Sequence, residues 1–211
     1  MSPISKRLIV LAVVGLAGPA FAQEPPPRTR GTVVSVSGDS AMLRTANGEV
    51  KVDLAGAGYV GARRGSLADV TQGGFIGAAA VPGPDGQLRA IEVAVFADSM
   101  RGAGEGSYPW DLGTSGSMTN GTVASVDGAS SMTNGTVQAL HHKGGLRMTV
   151  TYKGGQQVVA VGPHTPVVTL EPGTRAMLIS GAHVVVFGAS DAGVVQAKRV
   201  IVGENGTVPP M

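Results

Sequence analysis

Leu146–Lys153 reads LRMTVTYK, in which Leu146, Met148, Val150 and Tyr152 alternate with Arg147, Thr149, Thr151 and Lys153. A period of two built on β-branched and aromatic residues marks a strand with one buried face and one wet face. Gly154-Gly155 then turns the chain into a second strand over Gln156–Val161. The same arrangement stands upstream. Glu49–Leu54 places Val50, Val52 and Leu54 on one side and Glu49, Lys51 and Asp53 on the other, after a two-residue Asn47-Gly48 hairpin turn. Further strands are predicted over Thr32–Val36, Ala41–Thr45, Phe75–Val81, Leu88–Phe96, Thr136–Leu140, Val167–Leu170, His183–Phe187 and Val194–Val202. Ala55–Ser66 is glycine-rich and receives no strand, and Ser66-Leu67-Ala68-Asp69 carries a capping-box pattern for one short helical turn. With 33 glycines and 13 prolines to punctuate short strands, the chain is predicted to be all-β.

The strands fall into two similar units. Gly86, Leu88, Ala90, Val93 and Val95 match Gly193, Val195, Ala197, Val200 and Val202 at a constant offset of 107. Gly31-Thr32-Val33 reappears as Gly121-Thr122-Val123 and as Gly135-Thr136-Val137. The predicted organisation is a first β unit over 31–96, a connector over 97–120, a second β unit over 121–203, and a tail over 204–211 expected to fray. Ser117–Val123 (SMTNGTV) returns as Ser131–Val137, and two copies are too few to build a stacked array.

The N-terminus reads as an export signal. Lys6 and Arg7 precede the apolar run Leu8–Gly18, and Ala20-Phe21-Ala22 gives a small-x-small site, so cleavage is expected after Ala22. A proline-rich leader, residues 23–30, is expected to be an exposed tether. The full chain has 16 Lys+Arg and 14 Asp+Glu. Removing Lys6 and Arg7 with the signal leaves the mature chain balanced, which argues against nucleic-acid binding. There are no cysteines, so folding after export rests on core burial alone. No later stretch is long and apolar enough to read as a transmembrane helix. The expected compartment is periplasmic or extracellular.

The pattern Gly31-Thr32-Val33…Val36…Gly38, Asn47-Gly48 and Asp85-Gly86…Leu88…Ala90…Val93 resembles a family of bacterial exported β-domains without an established activity. Met100–Asp111 followed by Ser117-Met118-Thr119-Asn120 is similar to a subgroup of exported proteobacterial proteins built in this way. The resemblance implies small five-stranded barrels of the OB type, here two in tandem joined by a Gly/Trp-containing connector. It implies a compartment and leaves the function open. The second unit departs from the pattern at its late turn, Asp191-Ala192-Gly193, and in a longer first hairpin.

Candidate chemistry concentrates in the connector. Arg101, Glu105, Tyr108, Trp110 and Asp111 combine aromatic faces with charges, the groups that anchor interfaces, and Trp110 is the only tryptophan. The opposing reading is a strap whose Trp110 fills the groove between barrels. Gly102, Gly104 and Gly106 precede no amphipathic helix, which argues against a phosphate-cradling loop. Lys143, Arg147 and Lys153 offer a basic face for an anionic ligand, although mixed charges on exposed strands are ordinary. His141 and His142 are adjacent, which points them apart on a strand, and no metal site or cofactor is predicted. No nucleophile elbow or acid–base spacing stands out, so the expectation is a non-catalytic module. Its partner would be an envelope protein, a polymer or a small ligand. A purely structural envelope protein and a weak histidine-based metal handler are the alternatives.

Overall fold

The computed structural model describes residues 27–110, 115–128 and 145–210. The predicted export signal, Asp111, Thr136–Leu140, the second SMTNGTV copy, His141, His142 and Lys143 lie outside the described residues. Within them the fold is all-β. The first half holds β1 Arg28–Ser37, β2 Ser40–Thr45, β3 Gly48–Asp53, β4 Gly58–Arg64, β5 Phe75–Pro82, β6 Leu88–Phe96 and β7 Gly106–Pro109. The second half holds β8 Ser117–Gly128, β9 Leu146–Tyr152, β10 Gly155–Val161, β11 Val167–Pro172, β12 His183–Phe187, β13 Ser190–Asp191, β14 Val194–Gln196 and β15 Arg199–Gly203. The predicted capping box is present: the Ser66 backbone N–H donates to Asp69 Oδ2 at 2.7 Å, starting a single 3-10 turn over Leu67–Asp69.

Five strands close a barrel. β8 pairs antiparallel with β5 and β9, β9 pairs with β10, and β5 pairs with β6. The ring closes where β10 meets β6 in parallel, with Val159 opposite Leu88. Its interior is filled by Ile76, Val93, Met148, Val150 and Val159, each fully buried. Met148 and Val150 are the inward members of the alternation in Leu146–Lys153, so the period-two pattern and the core face agree.

The remaining strands repeat this pairing order. β12 pairs with β1, β1 with β2, β2 with β3, and β3 with β14 in parallel. β14 continues into β15, which pairs back to β12. The step between them is held by the Ala197 N–H on Asp53 O at 2.9 Å and the Lys198 N–H on Phe187 O at 2.8 Å. Val33, Leu43, Val52, Val184 and Val200 form the core of this set.

The strand partners differ from the expectation of consecutive units. The closed barrel takes β5 and β6 from residues 31–96, β9 and β10 from residues 121–203, and β8, which starts at Ser117 in the predicted connector and runs into the second unit. The other set takes β1, β2 and β3 from the first unit and β12, β14 and β15 from the second. Each unit therefore gives its first three strands to one set and its last strands to the other. The exchange runs through β4 and β11, which pair antiparallel with Ala62 opposite Leu170. The contacts on either side are reciprocal: the Gly65 N–H donates to Val167 O at 2.8 Å, and the Gly173 N–H donates to Tyr59 O at 3.0 Å. This is the isologous pattern of a two-fold interface, here inside one chain. Val60, Ala62, Ala94, Val168, Leu170, Val185 and Ile201 make a dry layer along it.

Two glycines hold matching places in β1 and β8. β1 and β8 share Gly-Thr-Val followed by a bulge, with register shifts between Val33 and Ser35 and between Val123 and Ser125. At the start of each, the opposite backbone comes close. A β-carbon at Gly121 would stand 2.2 Å from Thr151 O, and one at Gly31 would stand 2.7 Å from Arg44 O. Both obstacles are ladder carbonyls, which cannot yield without breaking strand pairing. Gly121→Ala is expected to lower stability by about 1–3 kcal/mol and Gly31→Ala by less, as overpacking does. Urea midpoints read both, and unchanged midpoints would show that the strands relax freely.

Two terminal segments differ from expectation. Arg28, Thr29 and Arg30, assigned to an exposed leader, belong to β1 and pair with Phe187, Val186 and Val185. The tail does not fray among the described residues: Pro209 and Pro210 are buried, with Pro209 set against Gly203. Proline cannot extend a ladder, but its ring packs as a small apolar body where a glycine makes room.

Candidate functional site

The connector crosses the junction of the two strand sets as a short one-turn segment, Asp98–Met100, followed by β7. β7 adds to the outer part of β8, with Tyr108 opposite Met118 and Gly106 opposite Asn120. Gly102, Gly104 and Gly106 all have positive φ, which lets the chain double back tightly enough to reach that edge.

Two of the polar residues singled out in the connector hold it in place. Arg101 donates to Gly73 O at 2.9 Å, to Asp98 Oδ1 at 3.2 Å and to Thr122 Oγ1 at 3.3 Å. Glu105 Oε1 accepts the Lys153 backbone N–H at 3.0 Å. Tyr108 and Trp110 instead turn inward. Trp110 is only 6% exposed and packs with Ala79 and Met118. Its ring lies 5.8 Å from that of Tyr108, and the Arg28 guanidinium stacks on it at 3.6 Å. The strap reading of Trp110 therefore describes its packing, and a cavity adjoins it.

That cavity has a volume of about 270 Å³ and lies where the two strand sets meet the connector. Val60, Ala94, Leu170 and Ile201, from the central layer, form its apolar floor. Phe96, Met100 and Phe187 continue the apolar wall, and Tyr108 and Trp110 cover it from the connector side. Asn120 also lines it, donating through Nδ2 to Gly104 O at 3.1 Å and to Tyr108 Oη at 3.3 Å. Gly77 makes room for this amide, since a β-carbon there would stand 2.4 Å from Asn120 Oδ1. The Trp110 indole Nε1 is buried and has no hydrogen-bond partner among the described residues. A buried donor left unpaired is costly, and such groups are few in native proteins.

The electrostatics of the cavity are positive. Lys198 and Arg199 line it, and no aspartate or glutamate does. Burial pushes the Tyr108 phenol up, while the charges of Arg28 and Arg199 pull it down. Both arginines therefore act on a cavity-lining side chain. Burial, with a contribution from Arg30, lowers the Arg28 guanidinium to about 10, so it stays charged at neutral pH.

The basic trio is not gathered here. Lys143 lies outside the described residues. Arg147 donates to Gln87 Oε1, and Lys153 lies just past the other end of β9. Six residues of extended chain separate the two by about 20 Å. Among the described residues no group of three or more His, Asp or Glu is placed to hold a metal. No helix among them is long and apolar enough to cross a membrane.

Lys198 and Arg199 were not singled out from the sequence. Lys198 precedes β15 and Arg199 opens it, next to apolar runs where outward polar residues are ordinary. The available signal was the offset of 107, which sets Lys198-Arg199 against Ile91-Glu92 in the first unit. At that offset Arg199 stands where the earlier strand has Glu92, a reversal of charge between otherwise matching positions. Compared with protein-family models, with curated proteins and with solved structures, the chain matches none.

Proposed function

We propose that this chain is an exported, non-catalytic binding module of the bacterial envelope, with the cavity beside Trp110 as its ligand site. The scaffold would be a duplicated OB-like unit whose two copies exchange strands to make a pair of small barrels. The observation that carries this reading is the cavity itself: about 270 Å³, largely apolar, with Lys198 and Arg199 among its lining residues. Concave, mostly apolar sites with a few convergent polar groups are the usual form of small-ligand pockets. An interior that served packing alone would leave fewer voids at a layer so close to the core.

The test uses the single tryptophan. The mature protein is expected to show blue-shifted emission, because Trp110 is buried. Adding fractions of envelope extract should change the intensity or position of that emission for one fraction, with the Trp110→Phe protein as the silent control. Emission that no fraction moves would favour the alternative of a structural envelope protein with no discrete ligand.

A further inference from the structure

We infer that the cavity beside Trp110 takes a small amphiphile bearing one anionic head group, with the apolar body inside and the head at Lys198 and Arg199. This rests on the cavity being the ligand site. Its size comes first. At about 270 Å³ it exceeds the roughly 150 Å³ apolar cavity known to hold benzene. It therefore accommodates a body larger than one aromatic ring. The floor of Val60, Ala94, Leu170 and Ile201 offers nothing to a polar body and would leave its hydrogen-bonding groups unpaired.

The sign of the head group follows from the charged and donor groups. Lys198 and Arg199 face the cavity, no carboxylate does, and neither is ion-paired among the described residues. Arg28, stacked on Trp110, adds a third positive charge nearby. Trp110, which lines the cavity, holds its indole Nε1 buried with no hydrogen-bond partner among the described residues. The unpaired acceptor, Asn120 Oδ1, is pressed against the Gly77 backbone. The fold does not impose this charge, because the position equivalent to Arg199 in the first copy is Glu92. A cationic head would meet repulsion, and a neutral one would gain nothing from these exposed cations.

Calorimetry on the mature full chain tests this with decanoate, decyl phosphate, decan-1-ol and decyltrimethylammonium, each below its micelle concentration. Decanoate or decyl phosphate should bind roughly tenfold tighter than the alcohol, the effect of one hydrogen bond to a charged group. The better of the two identifies a carboxylate or a phosphate head. The cation should bind more weakly than the alcohol, and high salt should narrow the spread. Lys198→Gln with Arg199→Gln should remove the anion's advantage and leave the alcohol unchanged, whereas Arg199→Lys, which keeps the charge, should retain most of it. Equal binding of alcohol and anions would overturn the head-group assignment while leaving the cavity as a site. An anion preference that survives the double substitution would overturn the placement at Lys198 and Arg199. Failure of every probe to bind would overturn both this inference and the ligand-site reading on which it rests.

Discussion

Cutting the chain within residues 111–114 is expected to leave two fragments that do not fold as monomers but recombine into a 1:1 complex. The N-terminal fragment keeps β1 to β7 and the C-terminal one keeps β8 to β15. The first then has β5 and β6 without the β8, β9 and β10 that close their barrel. It also has β1, β2 and β3 without β12 and β14. The second has the complementary gaps. Each fragment would expose the faces of Ile76 and Val93, or of Met148 and Val150, all of which are fully buried in the intact chain. Exposing several core side chains at roughly 1.5–3 kcal/mol each is comparable with the roughly 5–15 kcal/mol that holds a typical domain together, so the expected result is loss of fold. Circular dichroism and light scattering on each fragment and on the mixture decide it. Because β4 and β11 pair isologously, a homodimer of one fragment is the competing product, and mass separates it from the mixed complex. A cooperatively melting monomer of either fragment would show that a unit closes on itself, and the strand exchange would be abandoned.

This partner choice is the part of the fold that period-two reasoning does not reach. Alternation in Leu146–Tyr152 says which face is buried, and the structure buries Leu146, Met148 and Val150. It does not say which strand lies alongside. Both halves of the chain present small and branched apolar residues inward, so alternation alone does not choose between self-pairing and exchanged pairing. Leu88–Phe96, Leu146–Tyr152 and His183–Phe187 are strands over the residues expected, because each is an apolar or alternating run bounded by turn residues. β4 was hidden for a physical reason. Gly58 and Gly61 lower the strand signal of Gly58–Arg64, yet a β-carbon at Gly61 would stand 2.5 Å from Glu204 Oε1 and 2.8 Å from Met177 Cε. The glycine that masks the strand makes room for the Met177 and Glu204 side chains against β4. The site was half legible. Tyr108 and Trp110 stand out in a chain with few aromatics, and both line the cavity. Its floor and its cations come from strands distant in sequence, and only the tertiary fold brings them to the connector.

Phe75→Ala is expected to cost about 3–5 kcal/mol, the usual loss for a buried phenylalanine, and to weaken ligand binding as well. Phe75 is 1% exposed and is among the largest fully buried side chains. It opens β5, whose alternation sends Ile76, Ala78 and Ala80 into the barrel and sends Phe75 and Gly77 to the outer face. There its ring meets Phe96 edge-on, with centroids 5.3 Å apart and planes at 65°. Phe96 in turn lines the cavity, and Gly77, two residues along, allows Asn120 to reach it. Deleting the Phe75 ring removes the support behind one wall, so Phe96 can rotate into the space. Met148→Ala is the comparison. Met148 is completely buried inside the barrel and lines no part of the cavity, so its loss of about 2–5 kcal/mol should come without a change in affinity. Urea unfolding gives the stabilities, and an unchanged slope would show that both variants still unfold from the same compact state. Decanoate titration of each, under conditions where both remain folded, gives the affinities. If both variants bind alike, Phe75 is core only, and the cavity wall is set by the central layer without help from β5.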